Sequence, residues 1–281
     1  MCTVTIVPFR PAGAAEDNED EPASPALGHR LISNRDELRT RGRAEPPKQR
    51  VADGAPVLMP RDPDAGGTWI AVGEHGLVLT LLNVNPREAV KPSGPAPTRS
   101  RGHIIPMLAG CTSLGFVQGR LEGIAPSVFR PFRLIALLDG RVLEAKSDGA
   151  RIHYTEMAAD RPLFFTSSGL GDHIVEPPRR DLFEEMVLAA ETAPKAPADD
   201  ARLLERQRAF HRHAWPERPH VSVCMAREDA LTVSCTEVDV LSDRIVMRHL
   251  DGPPTADSDD DFLELMIDRR RAVDRPAAAP S

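Results

Sequence analysis

The sequence predicts an α+β domain built in layers, on three observations. Strand patterns come first, helical patterns are grouped late in the chain, and strand patterns then resume. Alternating βαβ units would interleave the two kinds instead. The strand runs are joined by hairpin signals, above all Asp139-Gly140 and the Gly73-Glu74-His75-Gly76 turn. Finally, 281 residues with 41% hydrophobic and 27% charged content suit one large globular core, expected to span residues 1–281.

Residues 3–9 alternate β-branched and apolar side chains as a strand does, and residues 28–33 repeat the pattern. Between them residues 11–26, rich in Ala, Pro, Asp and Glu, read as an exposed loop, the tip of a hairpin. The prolines and charges of residues 40–63 predict a second irregular excursion. Residues 68–72 and 77–84 form the next hairpin, and residues 100–120 have helical character with Pro106 marking a break or first turn. Strands are expected at 133–138, 141–145, 151–157 and 162–166. Residues 181–192 and 199–213 carry apolar side chains at helical spacing, with acids near each start favouring the helix dipole. Residues 220–226, 231–237 and 244–248 read as strands, followed by an acidic stretch and a flexible tail from about residue 270.

Several function classes fall away. A net charge of -7 gives no reason to approach a phosphate backbone, so nucleic acid is not an expected partner. The longest apolar runs, residues 134–138 and 77–82, are far short of the roughly 20 residues a membrane helix needs. No basic segment followed by an apolar one opens the chain, so a cytoplasmic location is expected. Cys2, Cys111, Cys224 and Cys235 show neither a C-x-x-C pair nor zinc spacing, and His211, His213 and His220 lack flanking ligands, so neither metal nor other cofactor is expected. The three histidines read as surface or helix-end residues. There is no G-x-S-x-G elbow and no G-x-G-x-x-G loop. The sequence leaves the oligomeric state undetermined.

Cys2 follows the initiator methionine directly, and a small second residue permits removal of Met1. The thiol would then carry its own base, the adjacent α-amine, whose ordinary pKa is near ~8. The plainer reading is a small buried strand residue. Asn34-Arg35-Asp36-Glu37 follows, and then Gly66-Gly67-Thr68-Trp69, Gly76, Leu82-Asn83 and Arg101-Gly102.

This ordered series resembles the NRDE family, which includes transport and Golgi organisation 2-like proteins and takes its name from the four residues 34–37. The resemblance covers roughly the first 105 residues. It implies the N-terminal-nucleophile (Ntn) hydrolase fold, an αββα sandwich of two stacked antiparallel sheets covered by helices. It also implies an amidohydrolase that cleaves a non-peptide amide or related acyl bond, with a small acyl or amide ligand as its partner. Cys2 would be the nucleophile, Arg35 a fixed charge lowering its pKa, and Asp36 an acceptor orienting the α-amine. Asn83 would donate to the oxyanion, or else simply form a turn before Asn85-Pro86. Asn34 is a supporting residue, Trp69 a core or pocket-wall aromatic, and Gly66-Gly67 a tight turn. Where the family relative has Ser-Asn, this chain reads Thr166-Ser167-Ser168, so Ser168 or the Gly169 backbone would stand in for an amide donor. Arg218 or His220 lies where a late arginine is expected. The departure at Ser168 favours a second reading from another class, a non-catalytic protein that uses the same pocket for ligand binding or trafficking, handling a lipid or haem. In a third reading the whole signature is structural.

Overall fold

A computed structural model describes residues 2–10, 28–85, 97–189 and 197–270. Two antiparallel sheets stack face to face. The first takes the strand order β10-β1-β2-β11-β12-β13. Its members are β10 (Leu163–Ser167), β1 (Cys2–Phe9), β2 (Gly28–Leu38), β11 (Ala230–Val240), β12 (Arg244–Leu250) and β13 (Leu263–Asp268). The second runs in chain order through β3 (Glu45–Ala52), β4 (Ala55–Arg61), β5 (Ile70–Gly73), β6 (Val78–Asn83), β7 (Phe132–Leu138), β8 (Arg141–Ser147) and β9 (Ile152–Ala158).

Alternation along each strand assigns the faces. Cys2, Val4 and Ile6 of β1 meet Leu58, Ile70, Val72 and Leu82 of the second sheet in the core between the sheets. The outer face of the second sheet is covered by α1 (Ile104–Leu108) and α2 (Leu114–Glu122), whose Leu108, Val117 and Leu121 pack on Leu79, Leu81 and Leu134. The outer face of the first sheet carries α3 (Asp172–Phe183) and α4 (Pro197–Arg212), joined through a stack of Phe164, Phe183 and Phe210. The layers therefore run α-β-β-α, as the resemblance implied.

Four expectations need correction. Residues 40–63 are not an irregular excursion, because β3 and β4 occupy most of them. They form a hairpin closed by Asp53-Gly54, both at positive φ (51° and 81°), the conformation of a two-residue type I′ turn. Pro46 and Pro47 are tolerated because they fall in a register shift on an edge strand, where no ladder donor is required. The first of the two late helices begins at Asp172 rather than 181, running through Pro177 and Pro178. Residues 220–226 contain a 3₁₀ turn at Pro219–Val221 instead of a strand. The acidic stretch after residue 251 contains β13, an edge strand hidden by its charged flanks. The loop near 11–26 and the tail from about 270 lie almost wholly outside the described residues. Among the described residues, no helix is long and apolar enough to cross a membrane.

Candidate functional site

Cys2 opens β1, an interior strand of the first sheet between the edge strand β10 and β2, directly opposite Ser167 on one side and Arg35 on the other. Directly paired residues share a face, so Ser167, Cys2 and Arg35 form a row on the inner surface at one end of the sandwich. All three are buried. The Cys2 nitrogen donates to Ser167 Oγ at 3.3 Å. The Arg35 guanidinium lies 4.2 Å from the Trp69 ring centroid and reaches Glu37 at 3.3 Å and Asp62 at 3.5 Å. Trp69 is buried, and its Nε1 has no hydrogen-bond partner among the described residues. Burial pushes the Cys2 thiol above its ordinary pKa. The chain's amino terminus and Arg35 pull it down, while Asp36 and Glu37 push it up.

The second sheet presents this row with a loop whose glycines have steric reasons. A Cβ on Gly67 would stand 2.4 Å from the Gly102 carbonyl carbon, so the two backbones cross only because Gly67 has no side chain, while a Cβ on Gly102 would be a tight contact at 3.3 Å. Thr68 donates to the Gly102 carbonyl at 3.0 Å, which seals the crossing. Asp62 caps the loop by accepting from the Asp64 and Ala65 amides, and its other oxygen takes Arg41 at 2.6 Å. Arg101 donates to the Pro131 carbonyl at 3.0 Å and stands close enough to interact electrostatically with the Cys2 thiolate.

On the opposite face of β1 and β2, toward α3 and α4, lies a buried polar network. Thr3 and Thr166 sit beside Cys2 and Ser167 in sequence but point the other way, and both hydroxyls accept from Arg179 Nη1 at 2.8 Å. Arg179 also donates to the Val221 carbonyl (2.9 Å) and the Ser222 carbonyl (2.7 Å), and it is fully buried. Asp36 accepts from Thr232 at 2.7 Å. Burial raises its carboxyl above the ordinary range, against the charge of Arg179. Asn34 donates to the His211 and Val223 carbonyls, which leaves its oxygen to accept from His211 Nδ1 at 3.1 Å. His211 Nε2 then accepts from Thr5 Oγ1 (2.8 Å), and Thr5 in turn accepts from Gln207 (2.9 Å). Residues 220–226 thus have part of their backbone satisfied by side chains rather than by a ladder.

The structure therefore gathers Cys2, Arg35 and Trp69 on the inner face and puts Asn34 and Asp36 on the helix side of the same strands. Asn83 stands opposite Phe132, so strand alternation groups it with Leu79 and Leu81 rather than with Leu82 on the inner face. Ser168 ends β10 in a turn, with its amide donating to Asp172 at 2.8 Å and its hydroxyl accepting from Leu170 at 3.2 Å. The Arg218 guanidinium is about half exposed and stacks on Trp215 at 4.4 Å, and His220 is exposed, so neither is the late arginine of the site. Arg179 is the buried arginine beside Thr3 and Thr166. Its only sequence signal, an Arg after Pro177-Pro178, was masked by those prolines. His211 is a helix-end residue, in the last turn of α4, but it is buried rather than at the surface, and His213 packs on Trp215. No group of three or more potential metal ligands occurs among the described residues.

Two buried histidines make the fold acid-sensitive. Burial, with Arg179 nearby, holds His211 down to about 3, and burial holds His249 down to about 4. The unfolded chain protonates both near ~6.5 while the folded chain does not. Stability is therefore fully present above that pH and is lost as the pH falls from about 6.5 toward 3–4. We expect a loss on the order of a few kcal/mol between pH 7.5 and 4.5 in urea unfolding. His211→Gln should flatten the slope, and equal slopes in both proteins would contradict this assignment.

Residues 24–113 match the family model described as Transport and Golgi organisation 2. Among proteins with curated descriptions, none matches the sequence. In solved structures the chain is similar to a penicillin V acylase from Agrobacterium tumefaciens, with 12% identity, 94% of this chain and 86% of that chain covered, and a TM-score of 0.49. It is also similar to the N-acylethanolamine-hydrolyzing acid amidase ortholog of Caenorhabditis elegans, with 12% identity, 95% and 100% coverage, and a TM-score of 0.47. A conjugated bile acid hydrolase variant from Clostridium perfringens gives 12% identity, 94% and 92% coverage, and a TM-score of 0.46. Over residues 24–113, the stretch that holds Asn34-Arg35-Asp36-Glu37, Gly66-Gly67 and Arg101-Gly102, this chain carries the pattern of the Transport and Golgi organisation 2 family, and the resemblance to the NRDE family holds.

Proposed function

We propose that the chain is an Ntn-type amidohydrolase whose nucleophile is Cys2, acting on a non-peptide amide or related acyl bond. One observation carries the reading. The Cys2 nitrogen is already fixed beside its own thiol, on Ser167 Oγ at the head of an interior strand, so removal of Met1 leaves an α-amine held in place. That amine takes the thiol proton, and the thiolate attacks the acyl carbonyl. The ammonium then gives its proton to the departing amine, forming a thioester. A water molecule, losing a proton to the amine, attacks the thioester and releases the carboxylic acid with the thiol restored. Arg35 favours the thiolate, and once Met1 is removed the negative charge of Asp36, buried on the other face of β2, would favour the ammonium of Cys2. For the oxyanion, Ser167 is better placed than Asn83. Its hydroxyl accepts from the Cys2 nitrogen and keeps its own proton to donate, whereas alternation turns Asn83 away.

The second reading, a non-catalytic protein that binds an apolar ligand such as a lipid or haem, is favoured by one observation: the burial that lifts the Cys2 thiol. The pH profile of iodoacetamide labelling at Cys2, followed by mass spectrometry, separates the two. The hydrolase reading expects Cys2 to label ahead of Cys224, whose thiol burial lifts to about 11. It also expects Arg35→Gln to move the Cys2 profile to higher pH with an unchanged circular dichroism spectrum. Superimposable profiles would show that Arg35 does not tune the thiol and would put the binding reading first.

A further inference from the structure

Beyond Arg35, on the side away from Cys2, a pocket of about 290 Å³ opens at the end of the first sheet, walled by Arg35, Glu37, Arg41, Arg43, Ser234 and Asp251. We propose that this pocket is a binding site for the carboxylate of a small aliphatic monoacid, held by the spare donors of Arg35 and the hydroxyl of Ser234.

Two groups in the wall have unspent hydrogen-bonding capacity. Arg35 and Ser234 are directly paired across β2 and β11, next to the register shift between Thr232 and Ser234, so they share a face. Ser234 is buried at 3% exposure, and its Oγ has no hydrogen-bond partner among the described residues. A buried hydroxyl without a partner is rare in folded proteins and calls for an explanation, of which a bound acceptor is one. Arg35 is 6% exposed, and its hydrogen bonds among the described residues come from Nη2 alone, at 3.3 and 3.5 Å. Its Nε and Nη1 donors remain for a ligand, and stacking on Trp69 holds the plane of the fork.

The other charges select the ligand. Arg41 is committed to Asp62 at 2.6 Å and Arg43 to Asp251, so their positive charge is largely matched. Glu37 and Asp251 face the same space and oppose a second negative charge. A monoanion with planar geometry fits this wall, and a phosphate dianion does not. Leu38 and Leu231 supply an apolar side for a short stem.

The site shares Arg35 with the row that holds Cys2, but its occupancy needs no turnover at Cys2, so the test uses the full chain carrying Cys2→Ser alongside the unsubstituted chain. Hexanoate is titrated by calorimetry, with Trp69 emission as a second signal, against hexanol and inorganic phosphate at the same ionic strength. Saturable one-site binding of hexanoate is expected in both proteins, with hexanol and phosphate at least tenfold weaker. Ser234→Ala, with circular dichroism to confirm the fold, should weaken hexanoate about tenfold through the lost hydrogen bond to a charged group. Absence of saturation, equal binding of hexanol or phosphate, or an unchanged affinity in Ser234→Ala would overturn the assignment. Because binding is read without turnover, its failure leaves the Cys2 reading standing, and the reverse also holds.

Discussion

Replacing Arg179 with Met is expected to destabilise the chain by about 3–5 kcal/mol in urea unfolding, the range measured when one member of a buried charged network is removed. The guanidinium joins two hydroxyls on β1 and β10 to two carbonyls at Val221 and Ser222, and all four lie away from water. Met fills much of the volume and satisfies none of these groups, and it leaves the charge of Asp36 without its strongest positive neighbour. Lys should rescue little, because one ammonium cannot reproduce a planar fork bonded through three nitrogens. A loss below about 1 kcal/mol would mean that water replaces the guanidinium and that the network does not hold the sheet to its helices.

How far this site was legible follows from where the signal lay. The hairpin at Asp139-Gly140 was legible because the turn chemistry is local and both residues adopt the positive φ that such turns require (48° and 72°). The partnership of Cys2 with Arg35 was legible once two strand patterns were joined as a hairpin, since pairing fixes which residues face each other. The roles of Asn34 and Asp36 were not, because what they touch is supplied by residues 211, 223 and 232, far along the chain. Arg179 was hidden for a related reason. Its helix runs through two prolines, which local propensity reads as a break, and tertiary packing overrides that preference. Strands β3 and β13 were missed because prolines and acids read as loop signals, although an edge strand with one exposed side accommodates both.

Substitution of Cys2 by Ala should have the largest effect on chemistry, removing covalent acylation and turnover completely while leaving the fold intact, since Ala is smaller and suits a buried strand position. The sharper question is whether the α-amine of Cys2 is the base. General acid–base catalysis contributes typically about 10²–10⁴-fold, so blocking the amine should slow acylation by at least about a hundredfold.

The most direct measurement compares two preparations of the full chain, one processed to begin at Cys2 and one made with methionine aminopeptidase inhibited so that Met1 is retained. Each is mixed with p-nitrophenyl hexanoate, quenched in acid at intervals and analysed by intact mass with peptide mapping. A single hexanoyl adduct is expected on Cys2 in the processed chain, rising and then decaying as water resolves the thioester, with at most background acylation in the chain that retains Met1. Equal acylation of the two preparations, or an adduct carried by another cysteine, would contradict this mechanism.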